Sequence, residues 1–99
     1  MDHDRIERLR RDYRPAFLAH LMRRDEVGLR AAYELGRRAM ADGVGLLDVV
    51  QVHHGVFLQT AAEMRHVDEL PDLVEPAAAF LLEALAPFEL TRRSPGELA

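Results

Sequence analysis

The amino-acid sequence predicts an all-α protein, an antiparallel four-helix bundle. Apolar residues recur every three or four positions along most of the chain, and no segment alternates apolar and polar residues as a strand does. The periodic segments are joined by loops of a few residues, without glycine- and serine-rich linkers or internal repeats. We expect a single helical domain over residues 1–93 and a frayed tail over 94–99, or a linker there to a downstream domain missing from this chain.

The first helix is predicted from about residue 3 to 23. Pro15 lies inside it and removes a hydrogen bond to the carbonyl of Arg11, so a kink or a break is expected there. The predicted inner face consists of Ile6, Leu9, Tyr13, Phe17 and Leu21.

The second helix is predicted to begin after Asp25, a favourable N-cap residue, with Glu26 in its first turn. Gly43 suits the left-handed position that follows a helix end. The predicted inner face consists of Leu29, Ala32, Tyr33, Gly36, Ala39 and Met40.

The third helix is predicted over about 46–65, with Gly45 as its N-cap. The fourth begins between Pro71 and Pro76, because proline is tolerated in the first turn of a helix. The predicted inner stripe of the third helix is Leu46, Val50, His53, Phe57, Thr60, Ala61 and Met64, and that of the fourth is Val74, Ala78, Leu81, Leu85 and Phe88.

Composition excludes several classes of protein. The 99 residues include no cysteine, which removes thiolate chemistry and fits a cytoplasmic location. No apolar run reaches the roughly 18 to 20 residues that span a bilayer. The net charge is −4, and the arginines of the first helix alternate with acidic residues, so we expect a solvated face and no nucleic-acid partner.

Two adjacent histidines, His53 and His54, lie within a mostly apolar helix. Neighbouring residues on one helix point about 100° apart, so both cannot ligate one ion. Neither the single serine nor the two threonines stand in a nucleophile motif, and there is no phosphate-binding glycine loop. We therefore expect no catalytic residue, no metal and no cofactor, and we interpret His53 as a semi-buried histidine that hydrogen-bonds a neighbouring helix.

The third and fourth helices carry more apolar surface than one core requires. A helix that faces a single core needs an apolar arc somewhat wider than 100°, and large exposed apolar patches are rare on monomers. The surplus therefore favours self-association across a two-fold axis, a binding groove, or both. It consists of Leu47, Val52 and Leu58 on the third helix and Phe80, Leu82, Ala86 and Leu90 on the fourth.

Three segments, AAYELGRRAMADGVGLLDVVQVHH, YRPAFLAHL and AAAFLLEALAPFELTRR, resemble the N-terminal domains of RsbU-type serine/threonine phosphatases of the bacterial general stress response. The resemblance covers about residues 6–93. It implies an all-helical, dimeric and non-catalytic domain that docks a GHKL-type switch kinase and thereby stimulates a phosphatase domain further along the chain. No phosphatase domain is present in this sequence.

The expected function is thus that of a partner-switching regulatory module, a homodimer that binds a kinase. Two alternatives remain: a helical bundle that senses a small ligand or metal near His53, and a purely structural dimerisation module. Outward apolar positions on the fourth helix, charged positions at the start of the second and the resemblance together predict the partner contacts. These are Glu26, Arg30, Leu82 and Ala86.

Overall fold

The computed structural model describes residues 2–64 and 66–98. Within these ranges the chain forms four α-helices and one short 3-10 helix, and no strand. The α-helices are α1 (Asp2–Arg23), α2 (Glu26–Ala41), α3 (Leu46–Ala62) and α4 (Leu70–Leu98), and the 3-10 turn Val67–Glu69 precedes α4. The predicted all-helical fold is confirmed. None of the helices in these ranges is both long and apolar enough to cross a membrane.

The ends of the helices follow local sequence signals. The Asp25 carboxylate accepts a hydrogen bond from the backbone N–H of Gly28 at 3.2 Å, which caps α2 as predicted. Gly43 has a φ of 82°, the left-handed conformation expected after α2. Gly45 is the N-cap of α3 as predicted, but α3 ends at Ala62, before the predicted end at residue 65, which lies outside the described residues.

Prolines interrupt the helices less than the sequence suggests. Helix α1 passes through Pro15 without a break, and α4 continues to Leu98. The backbone of residues 94–98 is helical, and Ala99 lies outside the described residues. The physical reason is that an internal proline removes only one hydrogen bond, so the remaining bonds of the turn can carry the helix past it. The division into a domain over 1–93 and a tail over 94–99 stays a prediction. A linker to a downstream domain stays a prediction as well.

One carbonyl freed by a proline has a visible replacement donor. Pro76 has no N–H to offer the carbonyl of Asp72 four residues earlier. The Arg24 guanidinium donates to that carbonyl instead, from Nη2 at 3.0 Å. Arg24 itself has a φ of 56° in the turn between α1 and α2. This side chain therefore ties the α1–α2 turn to the first turns of α4.

The core is centred on aromatic side chains of α1 and α4. Tyr13 and Phe17 are fully buried, as the spacing of apolar residues on α1 predicts. Phe80 of α4 packs edge-on against both rings, at centroid distances of 5.1 and 5.4 Å. The smaller buried side chains around these rings are Leu9, Ala32, Leu35, Ala39, Val44, Val49, Val52, Val56, Ala77 and Ala84.

The face of α4 that enters the core differs from the predicted one. Phe80, predicted as surplus surface, is completely buried, whereas Val74, predicted as core, is 52% exposed. Ala78 is exposed as well. The prediction failed because α4 is apolar on two sides, and periodicity alone does not decide which side packs inward. Small Ala77 and Ala84 beside Phe80 let neighbouring helices approach this side closely.

Helix α3 is rotated in the same manner. Val52, predicted to face outward, is completely buried together with Val49 and Val56, and Leu46 of the predicted inner stripe is partly exposed. Asp48 is the only Asp, Glu, Lys or Arg among the 17 residues of α3. The sequence therefore has few charged residues to distinguish the outer face of this helix from the inner face. The prediction for His53 holds, since His53 is buried.

Helices α2 and α4 approach each other closely. A Cβ atom added to Gly36 would lie 2.0 Å from the carbonyl oxygen of Ala84, so only glycine fits. Towards the carboxyl end of both helices, the Thr91 hydroxyl contacts the Met40 sulfur at 3.5 Å. The later residue of α2 thus contacts the later residue of α4, so the two helices run in the same direction.

Gly36→Ala should destabilise the fold by about 2 to 3 kcal/mol, because α2 and α4 must separate to admit the methyl group. Urea denaturation of the dilute protein measures the change. Gly55→Ala is the matched control, since a Cβ at Gly55 meets nothing within 4 Å. Alanine there should stabilise the helix by about 1 kcal/mol. Equal stability of the two variants would contradict the close packing at Gly36.

Candidate partner-binding site

An apolar groove is open to solvent between the start of α3 and the second half of α4. It exists because α4 places Phe80 and Ala84 in the core and leaves its other apolar side uncovered. Among the described side chains, Glu89 is the one ionisable group of its lining. The lining consists of Leu46, Leu82, Leu85, Ala86, Phe88 and Glu89. Such a surface suits an apolar segment of another protein, with one carboxylate at its edge to set orientation.

Two of the predicted contact residues lie in this groove. Leu82 is 69% exposed and Ala86 is half-buried, and they stand one turn apart on α4. Neither Leu46 nor Phe88 was predicted as a groove residue, because both were assigned to the core. No sequence signal distinguishes the two roles, since either environment accepts a large apolar side chain.

The other two predicted residues, Glu26 and Arg30, are exposed in the first turns of α2 and do not line the groove. The contact between Gly36 and Ala84 sets the relative level of α2 and α4. By this register Leu82 and Ala86 lie eight residues, or about 12 Å, further along than Glu26 and Arg30. Glu26 thus lies beside Arg30, and Leu82 lies beside Ala86. Within one chain, however, the first pair is separated from the second along the helices.

His53 has a structural environment. Its Nδ1 atom lies 2.7 Å from the Tyr13 hydroxyl, and both side chains are buried. The rings of Tyr13 and Phe17 meet His53 edge-on, and Phe57 stacks on it. This confirms the prediction that His53 hydrogen-bonds a neighbouring helix.

Burial also fixes the protonation of this pair. Burial, with a smaller contribution from His54, lowers the pKa of His53 to about 4, and burial raises the pKa of Tyr13 well above its usual range. At neutral pH the imidazole is therefore uncharged and the Tyr13 hydroxyl is neutral, and the two share a hydrogen bond at Nδ1 whose donor depends on the imidazole tautomer. In this state Nδ1 is occupied and unavailable to a metal ion. Within the described part of the chain, no three His, Asp or Glu side chains come close enough together to hold one.

A second histidine, His20 on α1, is buried at 3% exposure, which sequence reasoning did not predict. Its ring packs against Phe80, and its Nδ1 faces Gly28 at the start of α2. That atom has no hydrogen-bond partner among the described residues. Its place on the inner stripe, three residues after Phe17, is the signal that identifies it as a core residue.

The chain matches a known protein family. The family described as phosphoserine phosphatase RsbU, N-terminal domain, matches residues 11–91. No curated protein and no solved structure matches the chain. The matched range includes all four candidate contact residues, the groove and His53.

The buried His53 should make stability depend on pH. Its pKa is about 4 in the folded protein against 6.5 as the ordinary value, so the unfolded chain binds a proton that the folded chain excludes. The free energy of unfolding should therefore fall as the pH drops from 6.5 towards 4, by about 3 kcal/mol in total from this group. Urea denaturation at several pH values measures this.

His53→Gln is the control, because glutamine keeps a polar group near Tyr13 without titrating. Its stability should fall less steeply than that of the wild type over the same pH range. Parallel profiles for the two proteins would show that His53 does not exclude the proton.

Proposed function

Since the chain belongs to the family of N-terminal domains of RsbU phosphoserine phosphatases, we propose that it is a non-catalytic regulatory domain that dimerises and docks a switch kinase of the GHKL type. Kinase binding would activate a phosphatase in bacterial stress signalling by partner switching. The proposal includes a cytoplasmic location, where such a kinase and phosphatase would meet.

The single observation that carries the proposal is the exposed groove beside Leu82. Monomeric proteins rarely leave contiguous apolar surface in water unless it binds something. The groove has the features of a protein contact: large aliphatic and aromatic side chains for anchoring, and the Glu89 carboxylate at the edge. The lining side chains that the structure describes include no nucleophile or general base apart from this carboxylate.

The buried histidine supports a non-catalytic domain. His53 lies among aromatic rings and shares a hydrogen bond with the Tyr13 hydroxyl. The partner of the imidazole is thus a tyrosine and not the serine or threonine of a nucleophile pair. A neutral tyrosine with a raised pKa is a poor base, and an imidazole with a pKa of about 4 is a weak one at neutral pH. The same burial disfavours a ligand-sensing role for the His53 region.

The proposed architecture is an antiparallel four-helix bundle. Two contacts support this order of directions. The start of α1 meets the end of α2, where Arg5 Nη1 donates to the carbonyl of Asp42, and the end of α1 meets the start of α2, where His20 faces Gly28. The common direction of α2 and α4 also agrees with helices that alternate up and down.

Dimerisation follows from the apolar surface that one chain leaves uncovered. Four leucines that the sequence predicts to lie outside the core are each more than half exposed: Leu47 and Leu58 on α3, and Leu82 and Leu90 on α4. A two-fold interface that covers part of this surface should bury at least roughly 1,000 Å². We expect sedimentation of the protein at tens of micromolar to give the mass of a dimer, and a clean monomer would contradict this part of the proposal.

Kinase docking is tested with two separate substitutions, Leu82→Asp and Arg30→Glu. Each should weaken kinase binding by at least tenfold, or about 1.4 kcal/mol, if the residue is an anchor of the interface. The partner is captured from the source lysate, identified as a GHKL kinase and purified. Its affinity for each variant is then measured by isothermal titration.

Matched controls are Met22→Asp and Arg37→Glu, which introduce the same changes at exposed positions outside the groove. Wild-type affinity in both test variants would exclude the predicted docking surface. Loss of binding in a folded, dimeric variant would support it. Loss of the dimer in Leu82→Asp would assign this part of α4 to self-association instead. Absence of any kinase partner would favour the structural dimerisation module.

A further inference from the structure

The outer side of α3 carries an uncharged surface that the core does not use. Its residues are spaced by three and four positions and are all exposed. Leu47 is 73% exposed and Leu58 is 53% exposed. We name this surface the neutral face: Leu47, Gln51, His54, Gly55, Leu58 and Ala62. It has no Asp, Glu, Lys or Arg.

Gly55 lies about midway along the length of this face. A Cβ atom at this position would meet nothing within 4 Å, so packing within one chain does not require glycine. Glycine is nevertheless the least favourable residue in a helix interior apart from proline. A glycine that costs helix stability and has open space above it fits a position where another backbone approaches closely.

The lack of charge indicates what kind of surface covers the face. A two-fold axis places a surface against its own copy, so charges of one sign near the axis would meet like charges. The neutral face avoids this repulsion, and Gln51 and His54 add groups that can hydrogen-bond across the axis. By contrast, α1 and α2 expose several arginines and acidic residues.

We propose that the neutral face is the self-interface of the protein, with two copies of α3 crossing at Gly55. This inference rests on the dimer of the proposed function and identifies its contact surface. Leu47 lies two turns before Gly55 and Ala62 two turns after it, so the apolar side chains flank the crossing point on both sides.

The position of the face leaves the groove accessible. Leu46 lines the groove, whereas Leu47 points about 100° further round α3. Different sides of the same helix thus serve the two contacts. A dimer formed through α3 can still present the groove with Leu82 and Ala86 to a kinase.

The test uses Gly55→Leu and Leu58→Glu, with the dissociation constant of the dimer measured by sedimentation. Each variant should weaken the dimer at least tenfold. Ala41→Leu, at an exposed position of α2, and Leu82→Asp, in the groove, are controls that should leave it within twofold of the wild type. Circular dichroism should show that all four variants are folded, since none of these side chains is buried.

Cross-linking gives an independent readout, because the chain has no native cysteine. Gly55→Cys should form a disulfide-linked dimer on mild oxidation, since the crossing places both copies of residue 55 together, and Ala41→Cys should not.

A dimer of wild-type affinity in Gly55→Leu and Leu58→Glu would overturn the inference while leaving dimerisation intact. So would a dimer lost in Leu82→Asp alone. A monomeric wild type would overturn both the inference and the proposed dimer, whereas the kinase titration tests the docking surface separately.

Discussion

The contact between Gly36 and Ala84 is the constraint on which the rest of the structure depends. It brings the backbones of α2 and α4 together at a distance that no side chain larger than hydrogen permits. Once this pair is fixed, one side of α4 is committed to the core, and Phe80 from that side fills the space between α1 and the other helices. The opposite side of α4 is left to form the groove. Core and candidate binding surface are therefore two consequences of the same close approach.

The aromatic cluster sets the position of α3 in turn. Tyr13 hydrogen-bonds His53, and the two side chains lie among Phe17 and Phe57. A valine or leucine at position 53 would fill space but would leave the buried Tyr13 hydroxyl without this partner, which is costly in a low-dielectric interior. Apolar contacts alone would leave the orientation of α3 less specific, and the hydrogen bond adds a directional constraint to this packing. It fixes which side of an almost uniformly apolar helix faces α1.

Sequence patterns predicted some parts of this structure and not others, for identifiable reasons. The cap at Asp25, the left-handed Gly43 and the inner face of α1 depend on neighbouring residues and were predicted correctly. The inner sides of α3 and α4 were wrong, because Val52 and Phe80 were judged from helices that are apolar nearly all round. Their orientation is decided by contacts distant in sequence, above all at Gly36. Leu82 and Ala86, predicted to face outward, line the groove, and their contact with a partner stays a prediction. Leu46 and Phe88 were missed as groove residues, and the distance of Glu26 from the groove depends on the register of α2 against α4.

The common direction of α2 and α4 has an electrostatic consequence. The peptide dipoles of two helices that run the same way are aligned side by side, an arrangement in which like partial charges lie near each other. The carbonyl end of α2 therefore carries partial negative charge beside α4, and it ends there while α4 continues. Three arginines and two aspartates lie at this end, which leaves an excess of positive charge. Arg5 donates to the carbonyl of Asp42, and Arg8 and Arg38 line the same depression together with Asp12 and Asp42. The arginine-rich start of α1 thus has a role within the fold, as a counter-charge to the end of α2.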